Sequence, residues 1–311
     1  MSVYTQDLIK FGNDNNFLVG VCDAEPLDYL KNILNKKVPF INDNINDRID
    51  CKKIFPETKS IIVVAVPYGK QIDFKLDNIK RGKISISAIG LDYHKVVKDK
   101  LQKLMDYIEL NNYTNINSKI FVDTGKLPER ELAKKAGLGF QGKNCTLITE
   151  KYGSFVNLGY ALVDVFFEPT KKIAFDFSLC GDCNLCQKAC PTNALQKDYI
   201  CNHFECVSYL TQTKDDISEN LKIKMKNSVY GCDICQNACP FNKNKFIDTI
   251  DNIDEIMPSL DFLFSLSNKQ FENTYKHTAM FWRGKKTILR NAQIALDNYN
   301  LKSENYNHKN V

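Results

Sequence analysis

Hydrophobic spacing along the chain predicts a small set of elements. Lys59 to Tyr68 contains an unbroken apolar run, Ile61 to Val66, with Pro67 near its end. Its length and β-branched content predict a buried strand. From His94 to Leu110 the apolar positions Val97, Leu101, Leu104 and Ile108 recur at helical spacing, so an amphipathic helix is predicted. A short strand, Lys119 to Asp123, runs into Thr124-Gly125, and Pro128 opens a helix over Glu129 to Ala136. Cys145 to Thr149 and Phe155 to Phe167 read as strands on either side of the turn Lys151 to Ser154. Between Asp176 and Asn244 the regular elements should be short. Residues 248–255 read as a linker. Lys285 to Tyr299 then forms a basic helix with Ile288, Ala292, Ala295 and Tyr299 on one face. The fold class is mixed, α+β or α/β, in three consecutive parts: 1–172, 173–247 and 248–311.

Cysteine changes this picture. Eight of the twelve cysteines belong to two related strings, counting Cys206 upstream of the second. The first is Cys180-x2-Cys183-x2-Cys186-x3-Cys190-Pro191, the spacing of a bacterial ferredoxin, whose fourth cysteine ligates the other cluster. The second is Cys232-x2-Cys235-x3-Cys239-Pro240, with Val229 where a first cysteine would stand. Crossed ligation then assigns Cys180, Cys183, Cys186 and Cys239 to one 4Fe–4S cluster. Cys190, Cys232 and Cys235 go to a second, whose fourth ligand is Cys206 or Cys201. Paired thiolates also make zinc sites, but those do not need three-spaced triplets ending in Cys-Pro. Cys22, Cys51 and Cys145 are isolated and read as buried thiols.

The 311 residues are 43% hydrophobic and 25% charged, ordinary values for a soluble protein. No apolar stretch is long enough to span a bilayer, and no export leader is visible, so a cytoplasmic protein away from the membrane is expected. The net charge of +5 is uneven. Residues from Ser267 onward carry eight Lys or Arg against three Asp or Glu, which leaves the preceding body neutral. A basic tail on a neutral body points to a polyanion, with Arg283, Lys285, Lys286 and Arg290 as its candidate contacts.

Gly137-Leu138-Gly139-Phe140-Gln141-Gly142-Lys143 satisfies a dinucleotide fingerprint literally and a P-loop up to Asn144. Both motifs need a strand before and a helix after. Here a helix precedes and a strand follows, so neither NAD nor ATP is expected. Asp123 stands at the end of a strand, where reactive groups collect, although turn-forming aspartates also occupy such places. His94, beside Tyr93, reads as a structural histidine.

Four segments together resemble the epoxyqueuosine reductase family. They are FVDTGKLPERELAKKAGLGFQGKN (residues 121–144), Asp92-Tyr93-His94-Lys95, Ser208-Tyr209-Leu210-Thr211 and Tyr230-Gly231-Cys232-Asp233-Ile234-Cys235. The resemblance covers most of the first 245 residues. It implies a cobalamin (vitamin B12) enzyme with two 4Fe–4S clusters that reduces the epoxide of epoxyqueuosine at the wobble position of tRNA. By motif match, Asp123 is the proton donor and Cys206 the fourth ligand of the second cluster. Arg48, Tyr93, Lys143, Asn144, Ser208, Gly231, Cys232 and Asp233 match positions around cobalamin, which makes 1–172 a cobalamin-binding domain. Residues 173–247 become a ferredoxin-like domain, and 248–311 a shortened helical region facing tRNA. A monomer served by an external flavodoxin- or ferredoxin-type donor is expected. Leu91 stands where many members have arginine, so that contact is lost or replaced.

The chemistry is consistent with this assignment. Converting an epoxide to an alkene takes two electrons and leaves negative charge on oxygen. Clusters deliver electrons singly, so a cofactor must hold the strongly reducing state, and a carboxylic acid must protonate the departing oxygen. Burial beside a corrin is expected to keep Asp123 in its neutral form. Two other classes fit parts of the pattern. A plain ferredoxin-like carrier does not need the large N-terminal domain, and a reductive dehalogenase has no use for a basic tail.

Overall fold

The computed structural model describes residues 4–31, 44–112, 115–170 and 177–307. The expected boundary at 172–173 and the expected start of the cysteine segment at Asp176 lie outside them. Two compact units are present, and they interleave in sequence. The first comprises Met1–Tyr68, His94–Cys183 and Phe241–Lys245. The second comprises Gly69–Tyr93, Asn184–Pro240 and Phe246–Val311.

The first unit is built on a four-stranded sheet in the order Leu18–Asp23, Ser60–Pro67, Val156–Val163, Ser118–Phe121. All three pairings are antiparallel. Of the two expected descriptions, α+β suits this antiparallel sheet. Ser60 to Val66 are all buried, which explains why this strand reads as a continuous apolar run and not an alternating one. Helix Tyr93–Asn112 buries Val97, Leu101, Leu104 and Ile108 completely, the face its periodicity predicts. Helix Glu129–Lys135 packs on the two central strands, and its Leu132 and Ala133 join their core. Strand Ser118–Phe121 ends two residues earlier than expected, which leaves Asp123 outside the sheet, in the turn that follows.

The second unit has its own core of Ile84, Ala88, Val229, Leu260, Leu263, Met280, Ile288, Ala292 and Ala295. Helix Gly284–Asn307, longer than expected, lies along strand Ser228–Tyr230. Asn291, fully buried in that helix, donates from Nδ2 to the Thr211 and Val229 carbonyls at 2.7 and 2.8 Å. The segment expected as a linker is regular structure. Asp248–Ile250 pairs in parallel with Lys70–Ile72, and Ile253–Ile256 is a helical turn capped by Asn252. Arg81 locks this region by bonding Asp77, Asp254 and the Met257 carbonyl. Among the described residues no helix is long and apolar enough to cross a membrane.

Candidate active site and cluster ligands

In the first unit, Asp123 occupies a tight turn after its strand, with φ of +57°. That region costs an L-residue on the order of 1–2 kcal/mol, least for Asp and Asn. Thr124 N–H returns to the Val122 carbonyl, and Asp123 N–H donates to Glu129 Oε1 at 2.6 Å. Gly125 lets the turn lie against the Tyr160 ring, since a Cβ there would stand 2.2 Å from the Tyr160 hydroxyl. The Asp123 side chain is 60% exposed, and its Oδ2 lies 3.6 Å from His94 Nε2. The protein alone therefore does not desolvate Asp123 as expected from sequence. His94, read as merely structural, is a direct neighbour of the candidate acid. Burial pushes the Glu129 carboxyl up to about 8, and the Asp123 charge adds to that shift.

The glycine-rich loop follows the same helix. Gly137, at φ +71°, ends the helical segment, and Phe140–Gln141 pairs with Leu147–Ile148 in a small hairpin. Helix before and strand after is the order that excludes a nucleotide loop. Lys143 is 8% exposed and donates from Nζ to the Gly181 carbonyl at 2.7 Å, which ties the loop to the first cysteine string. Asn144 Oδ1 accepts from Thr146 N–H and Oγ1–H, so the orientation of the amide is settled. Its Nδ2 is then a buried donor with no hydrogen-bond partner among the described residues. Leaving such a group unpaired costs about 1–3 kcal/mol, so the position suits a bound group rich in acceptors. The amide-bearing rim of a corrin is such a group. Arg48, 7% exposed on the helical turn Ile45–Ile49, is also on this unit.

The remaining candidate cobalamin contacts lie in the second unit. Gly231 has φ of +68° and donates its N–H to Thr211 Oγ1, and a Cβ on it would meet Ser85 Cβ at 2.5 Å. Asp233 is buried and accepts from Ser85 Oγ–H and Ile86 N–H. Its carboxylate is thus occupied in holding a neighbouring loop. Ser208 sits in the helical turn Val207–Leu210, and Tyr93 packs against the core of this unit. Leu91, the departure from the family pattern, is 67% exposed.

Of the candidate cluster thiols, Cys180 and Cys183 belong to the first unit and the others to the second. In the second unit the short helices Leu185–Ala189 and Ile234–Asn237, which carry Cys186 and Cys235, pack together. Burial raises the Cys235 thiol, as do the charges of Cys232, Cys206, Cys186 and Cys190. Burial likewise pushes Cys232 up to about 12, with Cys206 adding to it. Cys206 is thus near Cys232 and Cys235, and Cys186, which is expected in the other cluster, is near Cys235 as well. Cys201 lies beside Cys206 and hydrogen-bonds its sulfur, holding that thiol down at about 6. Among the described residues no three His, Cys, Asp or Glu side chains converge on a single metal ion. A donor set of thiols alone fits iron–sulfur clusters by its chemistry.

The basic tail is less free than its sequence suggests. Arg290 donates to the Leu210 and Thr213 carbonyls at 2.9 and 2.7 Å, so its guanidinium also helps to hold the fold. Arg283 stacks on Trp282, 3.3 Å from the ring centroid, and Lys285 reaches Asn268. Lys286 is exposed.

Comparison with known proteins bears on what this arrangement is for. Residues 48–124 match the family model "Epoxyqueuosine reductase QueG, DUF1730", and residues 179–242 match the "4Fe-4S double cluster binding domain". The epoxyqueuosine reductase of Bacillus subtilis (strain 168) is 35% identical over 315 residues, covering 96% of this chain and 81% of the relative. The chain belongs to the epoxyqueuosine reductase family. The Staphylococcus aureus (strain NCTC 8325 / PS 47) member is 37% identical, covering 95% of this chain and 80% of that protein. The solved Streptococcus thermophilus member superposes with a TM-score of 0.86 at 37% identity, over 94% of this chain and 81% of that one. A family member solved with an epoxyqueuosine-modified tRNA-Tyr stem loop gives 0.86 at 34%, with the same coverage. A reductive dehalogenase shares the fold alone, at TM-score 0.50 and 14% identity, over 78% of this chain and 32% of that one.

Sequence reasoning did not single out Glu129 or Arg130, whose guanidinium bonds the Cys145 carbonyl. Both lie in the first turn of a helix after proline, where charged residues read as ordinary helix starts.

Proposed function

We propose that this protein is an epoxyqueuosine reductase. It acts on tRNA carrying epoxyqueuosine at the wobble position and converts it to queuosine. The overall change consumes two electrons and two protons, and the epoxide oxygen leaves as water. The observation that carries this reading is the exposed Asp123 carboxyl, fixed by its turn beside His94, in a chain that also holds the paired thiol strings.

Each part has a role in this reading. Cobalamin, when bound, supplies a strongly reducing cobalt centre. Asn144 Nδ2, Lys143 and Arg48 on the first unit, with Tyr93, Ser208, Gly231, Cys232 and Asp233 on the second, are the residues that would hold it. Cys180, Cys183, Cys186 and Cys239 ligate one 4Fe–4S cluster. Cys190, Cys206, Cys232 and Cys235 ligate the other, and an external flavodoxin- or ferredoxin-type donor fills them. Asp123 gives its proton to the departing oxygen, and His94 keeps the carboxyl aimed. Arg283, Lys285 and Lys286 meet the tRNA backbone, in a monomer working in the cytoplasm. The protein can be read as a cobalamin domain, a ferredoxin-like domain and a helical tRNA-facing region, with the polypeptide crossing between them more than once.

The test is an anaerobic single turnover of protein reconstituted with iron, sulfide and cobalamin, given a stem loop bearing epoxyqueuosine and a chemical reductant. Nucleoside mass spectrometry should show queuosine, lighter by one oxygen. Recovery of intact epoxide from fully loaded protein would overturn the proposal.

A further inference from the structure

The chain's one tryptophan stands outside its core. In the helical turn Ala279–Arg283, Ala279 and Met280 are buried, and Phe281 packs on the core of the second unit, stacked on Phe271. Trp282, next in line, is 57% exposed. Single exposed apolar side chains are ordinary on protein surfaces. Trp282 differs because it is held still while it is exposed. Its indole N–H donates to the Tyr230 hydroxyl at 2.8 Å, and that hydroxyl donates in turn to the Ala279 carbonyl at 3.0 Å. The Arg283 guanidinium lies 3.3 Å from the ring centroid and covers one face. The exposure therefore falls on the opposite face and on the edge away from the N–H. A fixed indole face backed by a cation suits a second ring, because stacking there costs little further side-chain entropy. Lys285 and Lys286 follow directly and surround the site with positive charge.

We propose that Trp282 is a stacking platform for one unpaired nucleobase of the tRNA loop, backed by Arg283. The proposal rests on the reading of this protein as one that acts on tRNA. Positive charge attracts any polyanion and carries no preference for a loop over a duplex. An aromatic face does, because a base inside a duplex already has neighbours on both of its faces, while a loop base can be splayed out onto a side chain. Every base has a π-face, so the platform accepts a base without reading its identity. Lys285 and Lys286 draw the strand in, and Trp282 selects the single-stranded part of it. Exposed tryptophans also anchor protein partners. Here the flanking side chains are cations and the proposed substrate is a polyphosphate, which favours the nucleic acid.

Binding of an unmodified anticodon stem loop to the full-length, cluster-loaded protein tests this, since stacking needs neither epoxide nor turnover. Trp282→Ala should weaken binding about ten- to a hundredfold, the usual effect of losing a base–aromatic stack. The salt dependence should keep its wild-type slope, because no phosphate contact is lost. Trp282→Phe, which retains a ring, should recover part of the affinity. Abasic substitution of one loop nucleotide at a time leaves the protein untouched. One position should weaken wild-type binding by a similar factor, and the same substitution should weaken Trp282→Ala little further. A fully paired duplex of equal length should bind wild type and Trp282→Ala alike. Because Trp282 is the one tryptophan, protein emission should be quenched by the stem loop and not by the duplex. Should Trp282→Ala lose iron, the abasic series against Trp282→Phe takes its place. Wild-type affinity in Trp282→Ala, losses that add at every abasic position, or a flattened salt slope overturns the proposal. Unchanged RNA binding with slower cluster reduction by a flavodoxin also overturns it, and gives the face to a protein donor. A wild-type protein that binds no stem loop overturns the tRNA reading itself, and the platform with it.

Discussion

Trp282 donates its indole N–H to the Tyr230 hydroxyl at 2.8 Å. Tyr230 ends the strand that leads into Gly231 and the proposed cluster ligand Cys232, and its hydroxyl also bonds the Ala279 carbonyl. The start of the basic tail is thus braced on the backbone that delivers a cluster thiol. Charge and cluster support are therefore separable, residue by residue, within the tail.

Lys285→Gln with Lys286→Gln should weaken stem-loop binding and flatten its salt dependence, because each lost phosphate contact releases fewer counterions. Melting temperature and iron content should stay at wild-type values. Arg290→Gln should do the reverse. It strands the Leu210 and Thr213 carbonyls, at a cost of about 1–3 kcal/mol in stability, with little effect on the salt slope. Filter binding at several salt concentrations, read beside thermal melts, separates the two. A flattened slope in Arg290→Gln would return that residue to the interface.

Anaerobically prepared protein is expected to hold about eight irons per chain, from two Fe4 clusters. Cys206→Ala should lose about half of them and Cys201→Ala almost none, although the two thiols are neighbours. Metal analysis with electron paramagnetic resonance decides this. Equal iron in both variants would make the ligand assignment wrong, and stoichiometric zinc without iron would remove the clusters altogether.

Asp123→Asn should keep both clusters and bind cobalamin, yet lose roughly 10²- to 10⁴-fold in single-turnover rate, the usual contribution of a positioned acid. His94→Ala should cost less, since its imidazole stands 3.6 Å from the carboxylate and only aims it. Rapid-quench kinetics provides the measure. An undiminished rate in Asp123→Asn would take Asp123 out of the reaction.

Glu129 makes stability depend on pH. Its carboxyl is raised from 4.5 to about 8, so between those values the folded chain holds a proton that the unfolded chain releases. Stability from this group is full below pH 4.5 and declines as pH rises towards 8. Glu129→Gln removes the titration, so the variant should gain melting temperature relative to wild type as pH is raised from 5 to 9. A constant difference across that range would show that Glu129 is not raised.

Much of this was legible in the chain because the governing patterns are local. The central strand and the helix over Tyr93–Asn112 follow from period and composition, and the 4Fe–4S double-cluster domain follows from cysteine spacing. The glycine-rich loop was separable from a nucleotide site by element order alone. What escaped depends on contacts distant in sequence. Residues 248–255 are polar and look like a linker, yet Asp248–Ile250 finds a partner strand at Lys70–Ile72. Arg290 looks like surface charge until the Leu210 and Thr213 carbonyls are seen to face it. His94 and Glu129 lie within family-like segments that do not single them out, and only the turn that brings position 123 back against two helix starts makes them neighbours of Asp123.

The interleaving of the two units constrains how the protein is made. Ile84 and Ala88 share a core with Val229, Leu260 and Ile288, so an early piece of nascent chain has no hydrophobic shelter until some two hundred further residues have left the ribosome. The sheet of the first unit needs nothing beyond Val163 to pair its four strands. Synthesis therefore passes through a stage with one unit folded and most cysteines emerged but unscaffolded. Iron–sulfur loading has to wait for the last helix, or be guarded by whatever delivers the clusters.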